Sequence, residues 1–351
     1  RILDSLKSEF IETFDSIPDY INYLKEELKI DFDLIRESKL KIVFDPLFGT
    51  GRVYERILNA FGIPIIMIHA QKDPSFGGLR KPDVIEETLR ELKQKLLEDK
   101  QDIGLATDPD ADRSGLILDD GTYLDPNEFC SLIAWDILTD LERKHSRKWI
   151  KDNCVICATV ATSSLIDDVA SHFGIPSDGV IETAVGFKNL NQAISDAQEA
   201  GKKVIIAFEH TGKVAIMGSM PEADGMAVIS KLAEMAARAK KQGRKLSDLY
   251  RQEHAKIRKE HFYQDTSIKL DIKEKDRERA YKARIIDHFK WIEAVVREGQ
   301  RRRIIDNQKI VKIVGIDGMK FVCEDGAWAG VRISGTEPLI RIYGEGNTRE
   351  Q

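Results

Sequence analysis

Short apolar runs and amphipathic stretches alternate along the first 240 or so residues. Residues 41–44 read as a strand, 52–61 as a helix, and 63–68 as a second strand. Residues 82–98 carry the apolar spacing of an amphipathic helix, with Pro82 placed for its first turn. The run 102–106 reads as a buried strand. The rhythm restarts near Asn127, with helices over 128–142, 163–173, 190–200 and 224–240 and strands at 154–160, near Val180, and at 203–208. This is the βαβ alternation of mostly parallel sheets. Residues 241–260 are charged and read as helix plus connector. Beyond them 287–298 looks helical, while 309–321 and 328–343 read as antiparallel strands with tight turns. The expected domains are therefore 1–126, 127–255 and a smaller α+β part at 256–351.

Composition narrows the function classes. A chain of 351 residues with net charge −5 offers no broad basic surface for nucleic acid or membrane. No run reaches the roughly 18 apolar residues of a spanning helix. Cys154 and Cys157 form a C-x-x-C, but on a strand residues three apart face opposite sides. A pair of core cysteines is expected, in a reducing, cytoplasmic compartment.

The most informative segment is Thr107-Asp108-Pro109-Asp110-Ala111-Asp112-Arg113. Three carboxylates at alternate positions repel one another unless they are solvated, protonated or bound to a cation. Oxygen-only ligands at that density suit Mg²⁺. The loop follows an apolar strand, where open α/β sheets place their ligands. An EF-hand also begins D-x-D-x-D, but it needs Gly at its sixth position and Glu at its twelfth; here those are Arg113 and Asp119. Gly49-Thr50-Gly51 lacks the third glycine of a dinucleotide fingerprint and reads as a structural strand-to-helix turn.

Three further loops carry chemistry. Arg332-Ile333-Ser334-Gly335-Thr336-Glu337-Pro338 combines a planar guanidinium, two hydroxyls and a glycine that lets backbone N–H groups turn inward; Ser-Gly-Thr alone could be an ordinary β-turn, but the combination favours a phosphate site. Glu209-His210-Thr211-Gly212-Lys213 follows a strand. Its carboxylate and hydroxyl suit sugar hydroxyls, and His210 and Lys213 are candidate acid–base groups. Thr183-Ala184-Val185-Gly186-Phe187-Lys188 brings one more lysine beside a glycine.

Taken in order, these loops resemble the α-D-phosphohexomutase family of phosphoglucomutases and phosphomannomutases. Asp108, Asp110, Asp112 and Arg113 resemble its D-x-D-x-D-R magnesium loop. Glu209-His210-Thr211-Gly212 is similar to its E-x-S-G sugar loop, with Thr211 keeping the hydroxyl. Arg332 to Pro338 resembles its R-x-S-G-T-E-P phosphate loop. Asp45-Pro46-Leu47-Phe48-Gly49, and Phe76-Gly77-Gly78 with Pro82, resemble its second domain. The resemblance implies two similar three-layer α/β domains with mixed, mostly parallel sheets, then a smaller α+β domain. These are the family's second to fourth domains. No T-A-S-H-N-P-like phosphoserine segment occurs in the sequence, so it is expected to be a piece truncated at both ends and inactive alone.

The resemblance further implies a phosphotransferase that interconverts hexose 1- and 6-phosphates through a phosphoserine and a hexose bisphosphate. Asp108, Asp110 and Asp112 would hold Mg²⁺, and Arg113, Lys188 and Lys213 would assist catalysis. Glu209, His210, Thr211, Arg332, Ser334, Gly335 and Thr336 would bind substrate. Gly186-Phe187-Lys188 leans toward glucose. A non-catalytic sugar-phosphate binder derived from a mutase is the competing class, and it would have no use for three repelling carboxylates. An aspartate-nucleophile phosphatase would not explain the Arg332 loop.

Overall fold

The computed structural model describes residues 13–257, 259–270, 281–287, 304–305, 308–334 and 337–348. In the first sheet the strand order is β2-β1-β3-β4-β5, with β1 Ile42–Asp45, β2 Ile65–Met67, β3 Ile103–Thr107, β4 Ser114–Leu118 and β5 Tyr123–Leu124. Strand β1 runs parallel to β2 and β3, whereas β3–β4 and β4–β5 are antiparallel. This sheet is thus evenly mixed rather than mostly parallel. The apolar run Leu116-Ile117-Leu118 turns back on β3 instead of crossing over, so the aspartate loop is the tip of a hairpin.

The second sheet repeats the plan in the order β7-β6-β8-β9, with β6 Cys154–Thr159, β7 Val180–Thr183, β8 Lys203–Phe208 and β9 Val214–Ile216. Strand β6 is parallel to β7 and β8, and β8–β9 is an antiparallel hairpin. Its tip is the Glu209 loop. Strands β3, β4 and β6 are buried along their whole length, as expected when both faces of a sheet are covered.

The last part is a six-stranded sheet, order β10-β15-β14-β13-β12-β11, with antiparallel neighbours throughout. Here β10 is Phe262–Lys269, β11 Ile304–Ile305, β12 Gln308–Val314, β13 Met319–Cys323, β14 Trp328–Ile333 and β15 Leu339–Gly346. Most of the helix expected at 287–298 lies outside the described residues.

Two long helices join the α/β units. Helix Pro126–Lys144 starts at a capping box between Asp125 and Glu128, and helix Gly225–Lys241 is capped by the Asp224 side chain. Both bury apolar faces in a single core that holds Leu105 and Leu116 from the first sheet and Ile156 and Phe208 from the second. All four cysteines are buried, and Cys130, Cys154 and Cys157 are free thiols. Cys154 faces that joint core, and Cys157 the opposite side of its sheet.

One helix is shorter than its periodicity implies. It spans Arg90–Glu98, and Pro82 does not open it. The preceding segment is held non-helical by tertiary bonds. The Asp83 carboxylate accepts from Arg113 at 2.9 Å, and the Tyr123 hydroxyl donates to the Val84 carbonyl at 2.9 Å.

Candidate functional site

At the β3–β4 hairpin tip, Asp108, Asp110 and Asp112 each present a carboxylate oxygen, and these atoms lie within 4.8 Å of one another. Asp108 is buried, and its Oδ1 accepts from the amides of Asp112 at 3.1 Å and Arg113 at 2.9 Å, which closes the turn. Burial pushes the Asp108 carboxyl up to about 7; the Arg113 amide opposes this, while Asp110 and Asp112 add to it. Asp112 Oδ1 is buried with no hydrogen-bond partner. Repelling carboxylates plus an unpartnered buried oxygen fit a hard dication such as Mg²⁺. Arg113 packs behind them, 2.9 Å from Asp83, 3.7 Å from Asp108 and 3.9 Å from Asp112.

The second hairpin tip meets the first. Arg113 and Lys213 form an antiparallel bridge, the Ser114 amide donates to the Gly212 carbonyl at 3.1 Å, and Lys213 Nζ pairs with Asp112 Oδ2. Gly212 has φ +91°, and a Cβ there would sit 3.1 Å from the Ser114 carbonyl oxygen, so glycine suits this contact twice over. Glu209 is buried. Its Oε1 accepts from the Gly186 amide at 2.8 Å and its Oε2 from the Thr211 hydroxyl at 3.0 Å. In this state Glu209 ties the Gly186 loop to its own loop. His210 lies edge-on to Tyr343, with ring centroids 5.2 Å apart. Burial drives its pKa down to about 3, helped by the charges of Arg341 and Arg332. It is neutral at pH 7, and its Nδ1 lacks a partner. Lys188 is exposed in the first turn of helix Phe187–Glu199.

The loop expected to bind phosphate begins at the end of β14. Arg332 Nε pairs with Asp317 Oδ2, and the same oxygen accepts from the Val185 amide at 3.1 Å. Ser334 is buried, and its hydroxyl accepts from the Glu337 amide at 3.2 Å. Gly335 and Thr336 lie outside the described residues. One unbroken series of contacts therefore joins the four loops: Asp112 to Lys213, Glu209 to Gly186, and Val185 through Asp317 to Arg332.

Some of the surroundings escaped sequence reasoning. Arg341 stands directly opposite Arg332 in the β14–β15 register, so two guanidiniums share a face. Arg341 lines a cleft of about 770 Å³ together with Lys81, Asp83, Asp125, His210 and Thr211. That volume suits a small ligand. Arginine at the alternate position of an apolar strand was the available signal. Asp83 and Asp317 had none, because their partners are distant in sequence.

Comparison with known proteins agrees with this geometry. Sequence models of the phosphoglucomutase/phosphomannomutase family match its alpha/beta/alpha domain II at residues 18–121, its alpha/beta/alpha domain III at 125–257 and its C-terminal domain at 270–351. A phosphoglucomutase/phosphomannomutase of Thermococcus kodakarensis is 27% identical over 338 residues, covering 96% of this chain and 63% of that protein. The glucose 1,6-bisphosphate synthase of Homo sapiens is 28% identical over 351 residues, covering 92% and 55%. The chain thus spans between 55% and 63% of the length of these relatives. A phosphoglucomutase/phosphomannomutase family protein from Burkholderia thailandensis has the same fold, with a TM-score of 0.68 at 18% identity over 97% of this chain and 62% of that one.

Proposed function

The chain belongs to the phosphoglucomutase/phosphomannomutase family, and from that premise we propose that it carries the metal, sugar and phosphate loops of a phosphohexomutase. The reaction is interconversion of hexose 1-phosphate and hexose 6-phosphate, with glucose as the sugar, by way of a hexose bisphosphate. The phosphoryl-carrying serine lies outside these 351 residues. The observation that carries the reading is the contact series from Asp112 to Arg332, which links four chemically distinct loops to one another.

Each group has a role that its surroundings support. Asp108, Asp110 and Asp112 hold Mg²⁺, which when bound neutralises charge on the phosphoryl oxygens. Arg113, clamped by Asp83, presents fixed positive charge beside them. Lys213 and Lys188 steer the phosphate and move protons. Glu209 and Thr211 exchange their mutual bond for bonds to sugar hydroxyls. His210, held neutral, adds a hydrogen bond rather than a charge. Arg332, Ser334, Gly335 and Thr336 hold the phosphate that is not reacting, with Arg341 as a second cation on the same face. Hexose phosphates and hexose bisphosphates are the partners. The buried thiols of Cys130, Cys154 and Cys157 suit a reducing cytoplasm, and no described helix is long and apolar enough to cross a membrane.

The test has two arms. Calorimetry of the 351-residue chain with glucose 1-phosphate should show binding that Glu209→Gln weakens. The same chain, given glucose 1-phosphate and a trace of glucose 1,6-bisphosphate, should produce no glucose 6-phosphate. Turnover on the order of 1–10³ s⁻¹ would place a nucleophile among these residues and sink the assignment of an external serine. Ser163 and Ser164, beside β6, would then be the first residues to replace.

A further inference from the structure

Gly49-Thr50-Gly51 is left unexplained by the reaction, yet it lies against the cation loop. The Thr50 amide and hydroxyl both donate to the Pro109 carbonyl, at 2.8 Å and 3.0 Å. A Cβ on Gly49 would sit 2.2 Å from Pro109 Cα and 2.4 Å from its carbonyl oxygen. A Cβ on Gly51 would sit 2.2 Å from the hydroxyl of Thr107, the residue before Asp108. On the other flank the Gly225 amide donates to the Ala111 carbonyl at 3.0 Å. A Cβ on Gly225 would stand 2.7 Å from that oxygen and 2.8 Å from the Arg113 carbonyl oxygen. The obstacles at Gly49 and Gly225 are backbone atoms, which cannot rotate aside.

The loop between them needs such support. Three carboxylates must converge although their charges drive them apart, and Ala111 is held at φ +61°, a left-handed conformation costly for alanine. Asp45 extends the support. Fully buried, it accepts from the Leu47 amide at 2.8 Å and faces His69 at 2.9 Å, fixing the start of the segment that leads to Gly49.

We propose that Gly49, Thr50 and Gly225 are positioning residues that clamp the Asp108–Asp112 loop from both flanks and preset its three carboxylates for a divalent cation. The inference rests on the reading of that loop as the Mg²⁺ site. Close backbone approach permits the hydrogen bonds to Pro109 and Ala111, and these fix the turn. Support of this kind, one layer out from the ligands, typically changes metal affinity by roughly 10- to 100-fold.

The probe is Mn²⁺, titrated into the folded 351-residue chain and followed by electron paramagnetic resonance. Wild type should bind, and Asp110→Asn should bind at least about tenfold more weakly. Gly49→Ala and Gly225→Ala should each weaken binding by roughly 10- to 100-fold. Gly344→Ala, whose Cβ would meet nothing closer than 3.7 Å, should bind like wild type. Thr50→Val removes one hydrogen bond and adds no bulk. It should cost roughly two- to tenfold, and Thr50→Ser should restore wild-type affinity. If the glycine variants fail to fold, the Thr50 pair decides alone. Folded variants that bind like wild type, while Asp110→Asn does not, would overturn the clamp and leave the cation site standing. If wild type and Asp110→Asn are indistinguishable, the cation reading falls and the clamp with it.

Discussion

The joint between the two α/β units and the joint between the second unit and the C-terminal sheet are built differently. At the first, one apolar core runs through both units, and the two hairpin tips interlock backbone to backbone. At the second, the buried apolar contact among the described residues is the small cluster of Ala161, Trp328 and Tyr343, with Val185, Tyr263 and Val322 packed against it. Polar contacts accompany it: Tyr263 donates to the Ala161 carbonyl at 2.8 Å, Lys320 meets Glu182 at 3.0 Å, and Asp317 joins Arg332 to Val185. A broad apolar joint fixes geometry, while a small polar one can be remade at modest cost. The cation and sugar loops belong to the fixed joint, and the phosphate loop to the exchangeable one. On the proposed function, this division would hold the metal and sugar groups still while leaving the phosphate loop free to adjust.

The heaviest blow to this contrast is aimed at the shared core. Phe129 is fully buried in helix Pro126–Lys144, within the core common to both units. Phe129→Ala should cost about 3–5 kcal/mol. Both α/β units should still unfold in a single step in urea, followed by circular dichroism and by Trp135 and Trp149 fluorescence. Separate steps for the two units would break the idea of a single joint.

The second prediction bears on the exchangeable joint. Arg332 opens the proposed phosphate loop and pairs with Asp317. Losing a charge-assisted bond to phosphate costs on the order of 1.5–3 kcal/mol. Arg332→Ala should therefore weaken glucose 1-phosphate binding by roughly tenfold or more, with Mn²⁺ affinity unchanged because the cation loop lies on the other joint. Unchanged sugar-phosphate affinity with the fold intact would remove Arg332 from the phosphate role. A parallel loss of Mn²⁺ affinity would show that the two joints are not independent.

How far the sequence led follows the same division. The chemistry of each loop is local: Asp108, Asp110 and Asp112 within five residues, or Arg332 and Ser334 within three, announce themselves. Strand burial was legible too, because β3 and β6 are apolar on both faces. What no window can display is pairing. The pressure of Gly225 on Ala111 and the service of Asp83 to Arg113 join residues far apart in the chain. Pro82 shows the converse failure. Its local pattern favours a helix start, but the bonds of Asp83 and Val84 to the hairpin hold that segment out of helix. Gly49-Thr50-Gly51 reads as a turn, which it is, and only its neighbour Pro109 shows what the turn supports.

The smallest expected effect is the most specific to the exchangeable joint. His261 lies between Asp168 of the second unit, 2.9 Å from Nε2, and Glu345 of the C-terminal sheet, 3.2 Å from Nδ1. Glu345 also accepts from the Ser164 amide at 3.1 Å and from Trp328 Nε1 at 3.3 Å. Asp125, Glu128, His254 and Asp265 line the adjoining cleft of about 740 Å³ and add net negative charge around the ring. Burial opposes a charge on His261, but its bonds to Asp168 and Glu345 outweigh burial and carry its pKa up to about 9. The folded value thus lies above the ordinary 6.5 of histidine. The contribution to docking is complete below pH 6.5 and is lost as pH rises through about 9. Asp168 keeps partial contact with water, so the pair should be worth only about 1 kcal/mol. The indole Nε1–H resonance of Trp328 reports on Glu345 directly. In wild type it should titrate with a midpoint near 9, and in His261→Gln it should stay flat across that range. A wild-type midpoint near 6.5 would mean that His261 bridges nothing in solution, and the exchangeable joint would then rest on its aromatic cluster and its other polar contacts, Tyr263–Ala161, Lys320–Glu182 and Arg332–Asp317.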